Sequence, residues 1–311
     1  MTATLPTTAA PATRRPSRGP RGLTWAVLRL HRTALVFWGL ALTAATAALI
    51  WMYVIGDEAR SGLSSCAEPT AADGLPSCAS VEAITADDTY RAVLSLIAAS
   101  LSYAIFLVAA WAGGALIGRE LESGTARLAW TQSVSPARWL AAKLAVPAVL
   151  ITAGTGAVAL VNLWARGDDD PNLVGDWYYP DVFVATGPTA VAYPLAGLAL
   201  GALAALLLHR ALPAAGMGFA AALVLYNVLE RLREDLWPKA TRTATGSLEM
   251  PRSVFVADWD ATATDGVRHI RVTYHPQSHF WPLQYVETGL LLALAAAAAL
   301  AAFALLRRRT P

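Results

Sequence analysis

His275 and His279 stand four residues apart, the separation at which two imidazoles on one helical face can share a metal ion. Pro276 lies between them and argues against a regular helix, and no third ligand is near in sequence, so residue types alone do not build a metal site there. Cys66 and Cys78 are the only two cysteines in the chain. Both fall between the first two long apolar runs, where a disulfide and a pair of unbridged thiols are both open, because spacing does not fix bridge geometry. The run Gly113-Gly114-Ala115-Leu116-Ile117-Gly118-Arg119 is glycine-rich like a phosphate-binding loop, yet Arg119 replaces the lysine, no Ser or Thr follows, and the run closes an apolar stretch. Its glycines, with Gly197 and Gly201, suit close helix packing instead, within one subunit or at a dimer seam. Glu287 and Asn162 are the polar groups nearest the apolar runs, as substrate contacts or as interfacial anchors. No Gly-x-Ser-x-Gly elbow, His-Glu-x-x-His helix or paired intramembrane carboxylate is present, so the chain is not expected to be an enzyme.

The elements that must position these groups are membrane helices. The chain has 311 residues, 56% hydrophobic and 15% charged, and a mean hydropathy of +0.45, whereas a soluble domain carries roughly a quarter charged residues. A formal charge of +2, with arginines placed beside apolar runs rather than on one basic face, gives no support to nucleic-acid binding. Uncharged runs long enough to cross ~30 Å of hydrocarbon lie at about 34–55, 92–118, 144–165, 188–208, 211–229 and 288–306. A central Arg, Lys or Asp would cost roughly 3 kcal/mol, so their absence from all six runs is a strong signal. The expected fold is all-α: a polytopic membrane protein of about six transmembrane helices with a small extracellular loop subdomain, in contact with membrane lipid. Residues 1–24, rich in Pro, Thr, Ala and Arg, are expected to be a disordered cytoplasmic tail ahead of a six-helix domain over 25–309. Leu23 to Arg32 reads either as an amphipathic surface helix or as the start of the first span.

Arginines flank the first span and follow the last, from Arg14 to Arg32 and at Arg307, Arg308 and Arg309, which places both termini in the cytoplasm of a multi-pass cell-membrane protein. The loop 230–284 carries seven basic residues yet falls outside by alternation; loops this long are largely exempt from the charge rule. Within it, Ser253 to Val256 and Val267 to Tyr274 have the composition of short strands.

The segment between the second and third spans is charged with both signs and punctuated by Gly124 and Pro136. Leu121, Leu128 and Trp130 beside Glu120, Glu122 and Arg127 allow a brief amphipathic helix able to dock a cytosolic partner, and composition equally allows a solvated loop. Its sequence, Arg-Glu-Leu-Glu-x-Gly-Thr-x-Arg-Leu-Ala-Trp-Thr-Gln-Ser from Arg119, then Arg-Trp-x-x-x-Lys from Arg138, resembles an internal loop of actinobacterial ABC transporter permeases of the type-2 exporter class. Tyr274 to Glu287, reading Tyr-His-Pro-Gln-Ser-His-Phe-Trp-Pro-Leu-Gln-Tyr-Val-Glu, is similar to the stretch such permeases carry before their last span. The resemblance implies a permease coupled through residues 119–139 to a separate cytosolic cassette ATPase, with Glu120, Glu122, Gly124, Thr125 and Arg138 at that interface. It also implies a second permease subunit, as a homo- or heterodimer, and no cofactor in this chain, ATP being bound by the partner. The alternative is a polytopic scaffold or anchor that transports nothing.

Overall fold

A backbone in hydrocarbon must satisfy its own hydrogen bonds, so apolar runs of this length resolve as helices. The computed structural model describes residues 22–67, 81–132, 134–166, 174–245, 247–251, 253–264 and 267–309. A short α1 (Leu23–Leu30) turns at His31 into α2 (Arg32–Ala67). α3 (Val81–Trp111) continues through a π-helical segment, Ala112–Gly118, into the single turn of α4 (Arg119–Glu122). α5 (Thr125–Thr131) and α6 (Pro136–Arg166) follow, then the short α7 (Pro180–Ala185), α8 (Thr189–Leu208) and α9 (Ala211–Leu232). A three-stranded sheet precedes α10 (Phe280–Arg309). Six of these helices, counted among the described residues, are long and apolar enough to cross a membrane. The expected tail over residues 1–21 lies outside the described residues. From Leu23 the chain is already helical.

The helices run further into charged sequence than the apolar runs suggest. α6 starts at Pro136, with Ser135 Oγ accepting from the Arg138 amide at 3.4 Å as its cap, so Lys143 lies two turns inside it. α10 starts at Phe280, eight residues ahead of the apolar run, because Phe280, Trp281 and Tyr285 supply an amphipathic aromatic turn suited to a membrane–water boundary.

α8 is the centre of the bundle. Two-thirds (67%) of its apolar window is buried within the chain, against 6% for α2, so α8 is packed in protein while the chain leaves α2 largely uncovered. Close approach is made by glycine. A Cβ on Gly201 would strike the Ala109 carbonyl of α3, one on Gly197 would come within 2.5 Å of the Ile105 carbonyl, and one on Gly218 of α9 within 2.8 Å of Ala109. The helix-packing role of Gly197 and Gly201 is therefore met inside this one chain. Gly113 and Gly118 open the π-helical segment: Gly113 faces the Ala214 backbone, and a Cβ on Gly118 would collide with the Gly113 carbonyl one wide turn earlier.

The sheet has the order β1-β3-β2, all antiparallel, from β1 (Ala240–Thr245), β2 (Phe255–Thr264) and β3 (Val267–His275). β3 covers one stretch read as a strand. β2 shares only Phe255 and Val256 with the other, Ser253 to Val256, and runs on to Thr264, and β1 carries its β-branched signal only as Thr241, Thr243 and Thr245 on one face.

Candidate functional site

Two polar clusters sit at opposite ends of α9, and one of them holds the segment that the sequence singled out. In α4 the Glu120 carboxylate turns back onto α6. Its Oε1 accepts from Lys143 Nζ at 2.6 Å and its Oε2 from the Trp139 indole N–H at 3.0 Å. Lys143 is 4% exposed and Glu120 17% at the side chain, so the pair is largely withdrawn from water. His31, at the end of α1, stands 3.5 Å from Lys143 Nζ and packs edge-on against Trp111. Burial, and secondarily the Lys143 charge, lowers the His31 imidazole to a pKa of about 4, which keeps it neutral beside the ammonium.

Glu122, two residues along and about half a helical turn round, is exposed and reaches the other way. Its Oε2 accepts from the Ala211 amide at 2.9 Å, which caps the first turn of α9 with an acid at the positive end of the helix dipole. Gly124 then takes φ +75°, the left-handed region that glycine enters without penalty, and separates α4 from α5. Thr125 donates to the Glu120 carbonyl at 3.3 Å and closes the turn. Arg138 is exposed beside it, and α5 presents Arg127 and Leu128 outward, Leu128 at 59% exposure, over the buried Ala126. Of the five residues drawn from the resemblance, Glu120 faces the bundle, Glu122 faces the start of α9, Gly124 makes the turn, and Thr125 and Arg138 remain at the surface. Lys143, Trp139 and His31 complete the arrangement. The signal for Lys143 was its rarity, as one of only two lysines in the chain.

At the other end of α9, Glu287 is fully buried. Its Oε2 accepts from Arg233 Nε at 2.8 Å, and its Oε1 accepts from Arg233 Nη2 at 3.0 Å and from the Tyr193 hydroxyl at 2.6 Å. Arg233 also lies 4.1 Å over the Phe183 ring. One helical turn away Gln284 accepts from the Thr189 hydroxyl at 2.8 Å and donates to the Phe183 carbonyl. Tyr226 and Ser102 share a further hydrogen bond of 2.8 Å. This network ties α10, α8, α9 and α7 into one body. Glu287 is thus a structural anchor, and so is Asn162, whose amide donates to the Ala185 carbonyl while its oxygen accepts from Arg166.

His275 and His279 do meet, Nδ1 to Nδ1 at 3.1 Å, but both nitrogens are spent on each other. The His275 Nε2–H donates to the Glu234 carbonyl at 2.8 Å, so its Nδ1 must accept from the His279 Nδ1–H. Among the described residues no three His, Cys, Asp or Glu side chains gather as a metal site would require. The Cys66 side chain and all of Cys78 lie outside the described residues, and with them the choice between a bridge and two thiols.

Residues 37–233, more than half of the chain and all of the first five spans but a few residues, match the family described as ABC-2 membrane transporter related. Comparison with curated proteins and with solved structures gives no match.

Proposed function

The chain belongs to the ABC-2 membrane transporter related family, and from that premise we propose that it is the permease subunit of an ATP-driven exporter, powered by a separate cytosolic ATPase that docks on residues 119–139. The observation that carries this reading is the double attachment of α4. Glu120 roots the segment in α6 through Lys143 and Trp139, while Glu122 roots it in the first turn of α9. Continuous helix joins it to α3 through the π-helical segment. A displacement of α5 by a partner therefore reaches spans two, three and five together, which is the mechanical requirement for alternating access. The exposed Thr125, Arg127, Leu128 and Arg138 give that partner an apolar contact rimmed by charge and hydroxyl.

In this reading both termini and residues 119–139 are cytoplasmic, and the sheet of 240–275 is extracytoplasmic. Two permease subunits enclose the pathway, and ATP is bound and hydrolysed by the partner. The energy source fits the charges present. Lys143, Arg233 and Glu287 are each committed to a charged partner, so none of the three is a free ionisable group of the kind ion-coupled carriers use.

Co-purification of a cognate cassette ATPase with the wild-type protein and with Leu128→Asp and Arg138→Glu tests the docking surface. Association with the wild type, reduced at least tenfold in both variants, is expected. Failure of the wild type to associate would instead favour a membrane scaffold that transports nothing.

A further inference from the structure

At the end of the bundle that holds Glu120, exposed arginines outnumber acids. The turn between α8 and α9 carries His209 and Arg210, α10 ends in Arg307, Arg308 and Arg309, and α5 contributes Arg127. Arg309 Nη1 donates to the Leu206 carbonyl at 2.7 Å and stands 3.1 and 2.9 Å from Nδ1 and Nε2 of His209. One atom can be that near both ring nitrogens only from above the ring, so Arg309 Nη1 sits over the imidazole face. Burial first, then the Arg309 charge and lastly the Arg127 charge hold the His209 imidazole below its ordinary value. The ring is therefore a neutral platform rather than another cation. Glu122, whose Oε2 accepts from the Ala211 amide, is the acid at the start of α9, and it forms no ion pair with these arginines. None of these arginines has an ion-pair partner among the described residues.

We propose that this corner binds the phosphate of an anionic phospholipid headgroup, with Arg309, Arg127 and Arg210 as its donors. Its position selects a lipid over a free anion. The apolar spans α8 and α10 end at this level, and Leu207 and Leu212, 49% and 84% exposed, flank Arg210 as an apolar wall for acyl chains. Basic pockets between helix ends at the membrane boundary hold lipid headgroups by this combination of guanidinium donors and apolar contact. The site is independent of the transport reading, since it needs only that these helices span a membrane. Its consequence for that reading is that a lipid phosphate would bridge α5 to the α8–α9 turn.

Native mass spectrometry of the full chain, purified with equal phosphatidylglycerol and phosphatidylcholine, measures the lipid retained by each variant. Arg127 has no side-chain hydrogen bond among the described residues, so Arg127→Gln isolates the charge from the fold; Arg127→Gln with Arg309→Gln removes two donors. Phosphatidylglycerol affinity is expected to fall about fivefold per arginine, with phosphatidylcholine unchanged, with no loss in Arg231→Gln at the far end of α9, and with no displacement by excess inorganic phosphate. Equal retention in wild type and both variants, or equal loss in Arg231→Gln, would overturn the site. Displacement by inorganic phosphate would overturn its assignment to lipid.

Discussion

The two ion pairs at opposite ends of α9 are built from the same chemistry and serve different ends. Arg233–Glu287 is sealed: both side chains are 4% exposed or less, the carboxylate accepts three hydrogen bonds, and Phe183 covers the guanidinium. Glu120–Lys143 is half open, with the carboxylate at 17% exposure on a four-residue helix that continues into a surface segment. A sealed pair fixes helices against one another, whereas a half-open pair at the root of a surface helix can pass on a push. Burial of the partner groups, rather than the ion pair itself, decides which role follows.

The comparison breaks most visibly at the sealed end. Arg233→Ala leaves the Glu287 carboxylate buried and alone and should cost about 3–5 kcal/mol, read as a large drop in the thermal midpoint of the purified protein. Arg233→Met with Glu287→Leu should recover most of that loss, and a double variant as unstable as the single one would contradict a purely structural role. Lys143→Met should cost less, about 1–3 kcal/mol, because Glu120 can turn to water. Between these effects sits the glycine seam that holds α8 against α3. Gly201→Ala should cost about 1–3 kcal/mol by overpacking, whereas Gly216→Ala, which meets nothing within 4 Å, should stabilise α9 by up to about 1 kcal/mol. Equal responses at the two glycines would show that the seam is looser than drawn.

A further effect sharpens the comparison through pH. His31 is held near 4 against an ordinary value of 6.5, so the unfolded chain takes up more protons than the folded one over that interval. Stability from this group is complete above about pH 6.5 and is lost as the pH falls toward 4. Thermal midpoints measured from pH 7 to pH 4 should decline more in the wild type than in His31→Gln; parallel curves would remove His31 from the cluster.

Six membrane helices were legible because a charge in mid-membrane is costly enough to leave clean uncharged runs. Span ends were less legible. Lys143 and Arg233 read as loop charges, yet each enters a helix because its counter-ion, 23 or 54 residues away, neutralises it. No local pattern announces such a partner. β1 was hidden for another reason: Ala240–Thr245 has no apolar face, and its strand character rests on alternating threonines and on pairing with β3. In the candidate site, the motif around Gly124 pointed to a turn, but the direction in which Glu120 and Glu122 face depends on α6 and α9, which the segment's own residues do not encode.

Coupling is tested most directly by ATP turnover in a reconstituted permease–ATPase complex, comparing wild type with Lys143→Met at equal ATPase association. Loss of the root of α4 with the docking face of α5 intact should leave association unchanged while permease-dependent stimulation of turnover falls several-fold. Stimulation equal to wild type in Lys143→Met would contradict the account that the Glu120 anchor carries the motion into the spans.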